Sequence, residues 1–181
     1  KIIEESLGYS FIKHIDNSAG ILRHTQLQMD MVRLGIGLYG INSSNSPLLQ
    51  LQEVSSLKTT IAQIKKVKKD ETVGYGRKGL VKQDSTIAVV RIGYADGYSR
   101  KLGNGKGFML VNGRRAPVIG NICMDMTMLD ITGIENVNEG NKVIVFGNSL
   151  SVTEIAKAAE TIPYEIMTGI SQRVKRIYFE E

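Results

Sequence analysis

The chain has 181 residues, 42% hydrophobic and 23% charged, with 19 Gly and 3 Pro, which is ordinary globular composition. Its single cysteine, Cys123, excludes an internal disulfide and fits a reducing, cytoplasmic setting. The formal net charge of +5 admits nucleic acid as a partner, but aromatics at 6% offer bases little to stack on, and no apolar run reaches the roughly 18 residues that span a bilayer.

The opening "KIIEESLGYSFIKHI" has no initial methionine and no charged-then-apolar leader, and it enters a hydrophobic strand almost at once, as a chain cut from something longer would. "FIKHI" reads as strand and "DNSAGILRH" as a turn with a short helical run. "MDMVRLGIGLYGI" reads as an apolar strand running into a glycine-spaced helix start. Strand, turn, helix, strand, helix is the rhythm of a parallel α/β unit, and two such units cannot close a sheet of their own. A polar break, "NSSNSPLLQ", follows at residues 42–50.

Beyond it the texture becomes β. "VSSLKTTIAQIKKVKK" is rich in β-branched residues, and "STIAVVRIGY", "GFMLVNGRRAPVIGNI", "MTMLDIT" and "NKVIVFG" follow as short strands. Asn112-Gly113 between two apolar runs predicts a hairpin. The spacing of strands points to a β-barrel or sandwich. "SVTEIAKAAE" reads as a helix with Ser151 as N-cap and Glu154 completing a capping box, and "PYEIMTGIS" as a second helix starting at Pro163. "QRVKRIYF" reads as a closing strand.

Several groups could carry chemistry. In "ETVGYGRKG", Tyr75 lies between two glycines, either as an incidental aromatic in a tight turn or as a phenol held clear of its neighbours. Asn17, Ser18, Gly35 and Gly37 could form a phosphate cradle or simply mark a close helix–strand contact. Arg33 ends the strand before those glycines. Tyr94 and Tyr98 flank an Ala-Asp-Gly turn that would serve as a hairpin corner, with Arg100 behind it. Asp125 and Asp130 lie on a Met-rich strand whose methionines suit core packing. Cys123 reads as a small buried residue rather than a nucleophile, because His14 and His24 are distant in sequence, and the same scarcity argues against a metal site. Lys65, Lys66, Lys68 and Lys69 read as the solvated end of a strand.

Taken in order, "NSAG", "RLGIGLYG", "VGYGR", "IGYADGY", "RRAPVIGNICMD" and "TIPYEI…QRVKR" resemble the alanine racemase family over residues 11–178. The resemblance implies a fold that is mainly β, a barrel-like C-terminal domain with one or two helices over residues 46–181, preceded over residues 1–45 by the last strand/helix units of a (β/α)8 barrel. It implies pyridoxal 5′-phosphate as cofactor, alanine as substrate, and a homodimer in which two chains share each site, with no nucleic acid or membrane partner.

By this resemblance Tyr75 is one of two catalytic bases, serving the face of the substrate opposite the cofactor lysine. A free phenol titrates near 10, so such a base needs nearby positive charge or hydrogen-bond donors. Arg33 matches the arginine facing the pyridine nitrogen, where a permanent cation weakens the electron sink. Ser18, Gly35, Ile36 and Tyr164 match phosphate-binding groups. Met124, through its backbone N–H, and Asp125 match positions beside the substrate carboxylate. Tyr94 and Arg100 fall where the family builds its substrate corridor, with Asn17 in support. Asn121 departs from the pattern, since many relatives carry arginine there. No lysine present matches the cofactor-holding lysine, so the chain alone is expected to be inactive. Competing readings are a basic β-barrel that binds RNA or protein, a racemase of another amino acid such as serine, and a racemase portion ending a fusion protein. A barrel-type decarboxylase would need an acidic partner for the pyridine nitrogen, which Arg33 is not.

Overall fold

The computed structural model describes residues 2–44 and 50–179, so most of the break expected at 42–50 lies outside the described residues. The chain divides into two compact units, Lys1–Val54 and Ser55–Glu181.

The first unit contains helices α1 (Ile2–Leu7) and α2 (Ser18–Arg23) and 3-10 turns at Thr25–Leu27 and Ile36–Tyr39, with no strand among the described residues. This corrects three expectations. The opening segment is helical, ending where Gly8 turns into the left-handed region and its N–H closes on Glu4 O at 2.9 Å. "FIKHI" and the apolar run before Gly35 are irregular, because a strand exists only through its ladder partners. What survives is a trace of parallel pairing. Asp30 N–H donates to Lys13 O at 3.2 Å, and three residues on in both segments Arg33 N–H donates to Asp16 O at 2.9 Å. Between them α2 forms where predicted, capped by Asn17, whose Oδ1 accepts from Ala19 N at 3.1 Å and Gly20 N at 3.0 Å.

The second unit is built on strands β1 (Leu57–Val67), β2 (Thr72–Val73), β3 (Gly79–Leu80), β4 (Ser85–Val90), β5 (Phe108–Val111), β6 (Arg114–Pro117), β7 (Thr127–Asp130) and β8 (Lys142–Phe146). Six of them form one antiparallel sheet in the order β6-β5-β8-β1-β4-β7. The two edges meet: Val118, just beyond β6, bridges Leu129 of β7, and Ile119 N–H donates to Met128 O at 2.9 Å. The sheet thereby closes as a barrel and leaves no long free edge. Inside lie Ala88, Val90, Met109, Val111, Leu129, Val143 and Val145, all buried. The Asn112-Gly113 hairpin forms as predicted, with both residues left-handed at φ 48° and 75°, the conformation of a two-residue primed turn.

Helix α3 (Val152–Ala158) buries Val152, Ile155 and Ala156, and Ser151 caps it by accepting from Thr153 N at 3.2 Å. Glu154 is instead ion-paired with Arg115 at 2.5 Å. Helix α4 (Pro163–Thr168) starts at its proline as expected. The closing strand expected at 172–179 is absent. Arg176 turns back on the chain and donates to Ile170 O at 3.0 Å and Ser171 O at 3.3 Å, while Ile177, Tyr178 and Phe179 are exposed. The Met-rich segment divides too: Met128 is buried, whereas Met124 and Met126 are exposed. Among the described residues no helix is long and apolar enough to cross a membrane.

Candidate functional site

Strands β2 and β3 form a small hairpin, with Thr72 opposite Leu80 and Val73 opposite Gly79, and the turn between them carries Tyr75. Gly74 adopts φ 78° and ψ 178°, a conformation open essentially to glycine alone, and a Cβ there would stand 2.8 Å from Met128 Cε. Gly76 is left-handed at φ 67°. These two residues lift Tyr75 off the barrel, leaving it 75% exposed. The stretch is a tight turn that bares the Tyr75 phenol. Arg77 does not stack on the tyrosine's behalf; its Nε donates to Thr72 Oγ1 at 3.2 Å within the hairpin.

Tyr75 borders a cavity of about 540 Å³ whose wall also includes Tyr94, Arg100, Asn121, Met124 and Asp125. The Arg100 guanidinium carbon lies 5.9 Å from the Tyr94 ring centroid, a cation–π contact that orients both side chains. The Ala-Asp-Gly segment is a 3-10 turn, Tyr94–Asp96, rather than the expected hairpin corner. Its backbone holds the Met124 loop: Tyr94 N–H donates to Cys123 O and Ala95 N–H to Met124 O, each at 3.0 Å. Met124 N–H has no acceptor among the described residues, so it is free to bind an anionic group.

Arg173 does not line the cavity but holds Asp125 of its wall, and sequence reasoning gave it no role. Asp96 Oδ2 accepts from Gly93 N at 2.9 Å, and its Oδ1 accepts from Arg173 Nε at 2.7 Å. Arg173 Nη2 also binds Asp125 Oδ1. Hydrogen bonds to these two carboxylates, Asp125 first, push the Arg173 guanidinium still further up. The arginine thus ties the Asp125 loop to the Tyr94 turn. The trace in the sequence is "QRVKR", read there as strand and as the end of the family-like motif series, with no role given to Arg173.

Other candidates fall outside the cavity. Tyr98 is only 2% exposed, its hydroxyl has no hydrogen-bond partner among the described residues, and burial pushes its phenol up, so it is core. Asp130 Oδ1 accepts from Thr132 N at 2.9 Å and closes a turn. Cys123 lines the cavity half-buried, and burial raises its thiol against the opposing influence of Arg100. Such a thiol is not activated. Tyr164 lies on α4, half-exposed, and does not line this cavity.

In the first unit, Ser18, Gly35, Ile36 and Gly37 do come together. Buried Ser18 opens α2, and its Oγ accepts from Gly35 N at 2.9 Å and Gly37 N at 3.4 Å. A Cβ on either glycine would stand 3.7 Å from that oxygen. The Gly35 and Gly37 N–H groups are taken up by Ser18, whose own O–H remains as the donor that a phosphoryl group would meet. Asn17 serves as the helix cap beside it. The Arg33 guanidinium donates to Ile15 O at 3.1 Å.

The second unit is thus a closed β-domain that bares Tyr75 beside the Met124–Asp125 loop. Residues 54–178 match the family model for the alanine racemase C-terminal domain, and residues 3–43 match the one for its N-terminal domain. The chain belongs to the alanine racemase family. It is 43% identical to alanine racemase 2 of Caldanaerobacter subterraneus over 173 residues, 92% of this chain but 44% of that protein. It is 41% identical to the alanine racemase of Desulfosudis oleivorans, with the same shares covered. The chain thus spans less than half the length of these curated relatives. Among solved structures, alanine racemase from Bacillus anthracis with bound L-Ala-P superposes with a TM-score of 0.90 at 36% identity, covering 98% of this chain and 47% of that one. Alanine racemase from Bartonella henselae with covalently bound pyridoxal phosphate gives 0.89 at 31% identity, covering 98% and 50%.

Proposed function

We propose that this chain contributes the tyrosine-base portion of a pyridoxal-phosphate-dependent alanine racemase, which interconverts L- and D-alanine in the cytoplasm for peptidoglycan synthesis. The observation that carries this is the glycine-raised phenol of Tyr75 over the cavity walled by Met124, Asp125 and Arg100. The bound cofactor supplies the electron sink that makes the substrate Cα proton removable.

Racemisation must take a proton from one face of a planar carbon and return one to the other, so it needs a base on each face. Tyr75 Oη is the acceptor and donor on one face. The Met124 N–H is open to the substrate carboxylate, and Arg173, by neutralising Asp125, keeps that carboxylate from repelling it. Tyr94 and Arg100 shape the approach. Ser18 and the backbone of Gly35 and Ile36 would bind the phosphate within the first unit, Tyr164 keeps the phosphate-binding role that the resemblance implies, and Arg33 would be the cation toward the pyridine nitrogen. Two chains pair head to tail, so that Tyr75 and Asp125 act on a cofactor carried by the partner. No lysine of this chain occupies the cofactor-holding role, so the 181 residues by themselves do not racemise alanine.

Two preparations test this: the 181-residue chain alone, and a polypeptide that continues it through a cofactor-lysine barrel. Incubated with pyridoxal phosphate and then reduced with borohydride, the first is expected to show no single-site adduct and no D-alanine formation, and the second both. Lack of D-alanine formation by the second preparation would overturn the proposal.

A further inference from the structure

The turn that carries Tyr75 has few hydrogen bonds of its own. β2 and β3 pair through two residues each, and the bonds that continue the hairpin, Val81 N–H to Glu71 O at 3.0 Å and Asp70 N–H to Val81 O at 2.8 Å, lie at its far end, away from the turn. The 3-10 turn is held by a single long bond, from Arg77 N–H to Gly74 O at 3.2 Å, and has no side-chain cap. The strongest outside hold on the turn is a side chain. Asn121 Nδ2 donates to the backbone carbonyl of Tyr75 itself, at 3.0 Å.

Asn121 is in turn held by a second amide. Asn104 Nδ2 donates to Asn121 Oδ1 at 3.0 Å. The two amides cannot drift apart, because Asn104 N–H also donates to Gly120 O, the carbonyl next to Asn121, at 2.8 Å. Asn104 is left-handed at φ 55°, a conformation that asparagine tolerates better than most residues. The polarity of the chain is fixed by chemistry. Rotating the Asn121 amide by half a turn would set its oxygen against the Tyr75 carbonyl and its NH₂ against the Asn104 NH₂, losing both bonds.

We infer that Asn104 and Asn121 form a directional amide relay that sets the position of the Tyr75 turn, and that both are positioning residues for the base. This deepens the proposed racemase reading and rests on it. A displacement of the phenol by an ångström lengthens proton transfer on one substrate face only, so loosening the relay should cost the two reaction directions unequally.

The test uses Asn121→Asp, which keeps the shape and the acceptor for Asn104 but removes the donor to Tyr75; Asn104→Asp, which tolerates the left-handed backbone; and the double variant. Amide hydrogen exchange on the 181-residue chain reads the turn directly: Arg77 N–H should exchange about tenfold faster in Asn121→Asp, with the β1–β4 ladder unchanged. In the active enzyme, solvent-deuterium exchange at Cα should fall on the order of 10–100-fold for the enantiomer served by Tyr75 and far less for the other. Asn104→Asp should have a smaller effect, and the double variant should add little beyond Asn121→Asp, because both act through one bond to Tyr75. Unchanged Arg77 exchange, equal losses from both enantiomers, or additive effects would each overturn the relay. Should the unsubstituted enzyme not racemise alanine, the proposed function fails instead, and Arg77 exchange alone decides whether the relay holds the turn.

Discussion

Tyr75 owes its exposure to backbone conformations on either side of it rather than to its own contacts. Gly74 is the stricter of the two, since it combines φ 78° and ψ 178° with a neighbouring methyl at 2.8 Å from any Cβ. Gly74→Ala is therefore expected to cost about 1–3 kcal/mol in backbone strain alone, read as a lower midpoint of guanidinium unfolding, and to lower Tyr75-dependent exchange. A loss below roughly 0.5 kcal/mol would mean that the hairpin shifts freely. Cys123 gives a pH test of the same wall. Burial raises its thiol above the ordinary value of 9.0, so the reactive thiolate is scarcer than in a free cysteine at every pH below that shifted value. Alkylation should be slower than for a free thiol at pH 8 and still be climbing above pH 9. A plateau below pH 8 would contradict this. At this scale the sequence was readable where neighbours in the chain carry the signal, as the flanking glycines do for Tyr75. It was silent on Arg173, whose partners Asp96 and Asp125 lie 77 and 48 residues away.

Among the elements, local chemistry decided which predictions held. Asn112-Gly113 makes a hairpin because both positions need positive φ, and Pro163 and Ser151 begin helices because each meets a specific need of a first turn. Gly113 has open space where a Cβ would go, so Gly113→Ala should cost only the left-handed backbone penalty, about 1–2 kcal/mol, without any change in packing. Strands in the first unit were misread for the opposite reason. Their apolar residues suit a strand, but the ladder that would define it needs neighbours, and Lys13–Asp30 and Asp16–Arg33 supply only two backbone bonds. The segment after Ser171 has no ladder partner among the described strands, and Arg176 turns back onto the carbonyls of Ile170 and Ser171.

The barrel as a whole depends on the junction of β6 and β7, which no strand pattern in the sequence announces. Leu129 occupies it, fully buried and bridged to Val118. Leu129→Ala should destabilise the protein by about 2–5 kcal/mol, through lost transfer energy and the cavity left behind, with a cooperative transition retained. The basic run at the end of β1 stays on the surface, with Lys65 and Lys66 exposed and Lys68 paired to Asp84 at 2.7 Å. Such charges support at most a non-specific association with RNA that disappears between roughly 50 and 200 mM salt. The proposed function rests instead on one phenol, and Tyr75→Phe in the active enzyme tests it most directly. Deuterium incorporation from solvent into L-alanine and into D-alanine should be measured separately. The account expects exchange from one enantiomer to fall by about 10²–10⁴-fold while the other is far less affected. Equal losses from both enantiomers, or no loss, would contradict it.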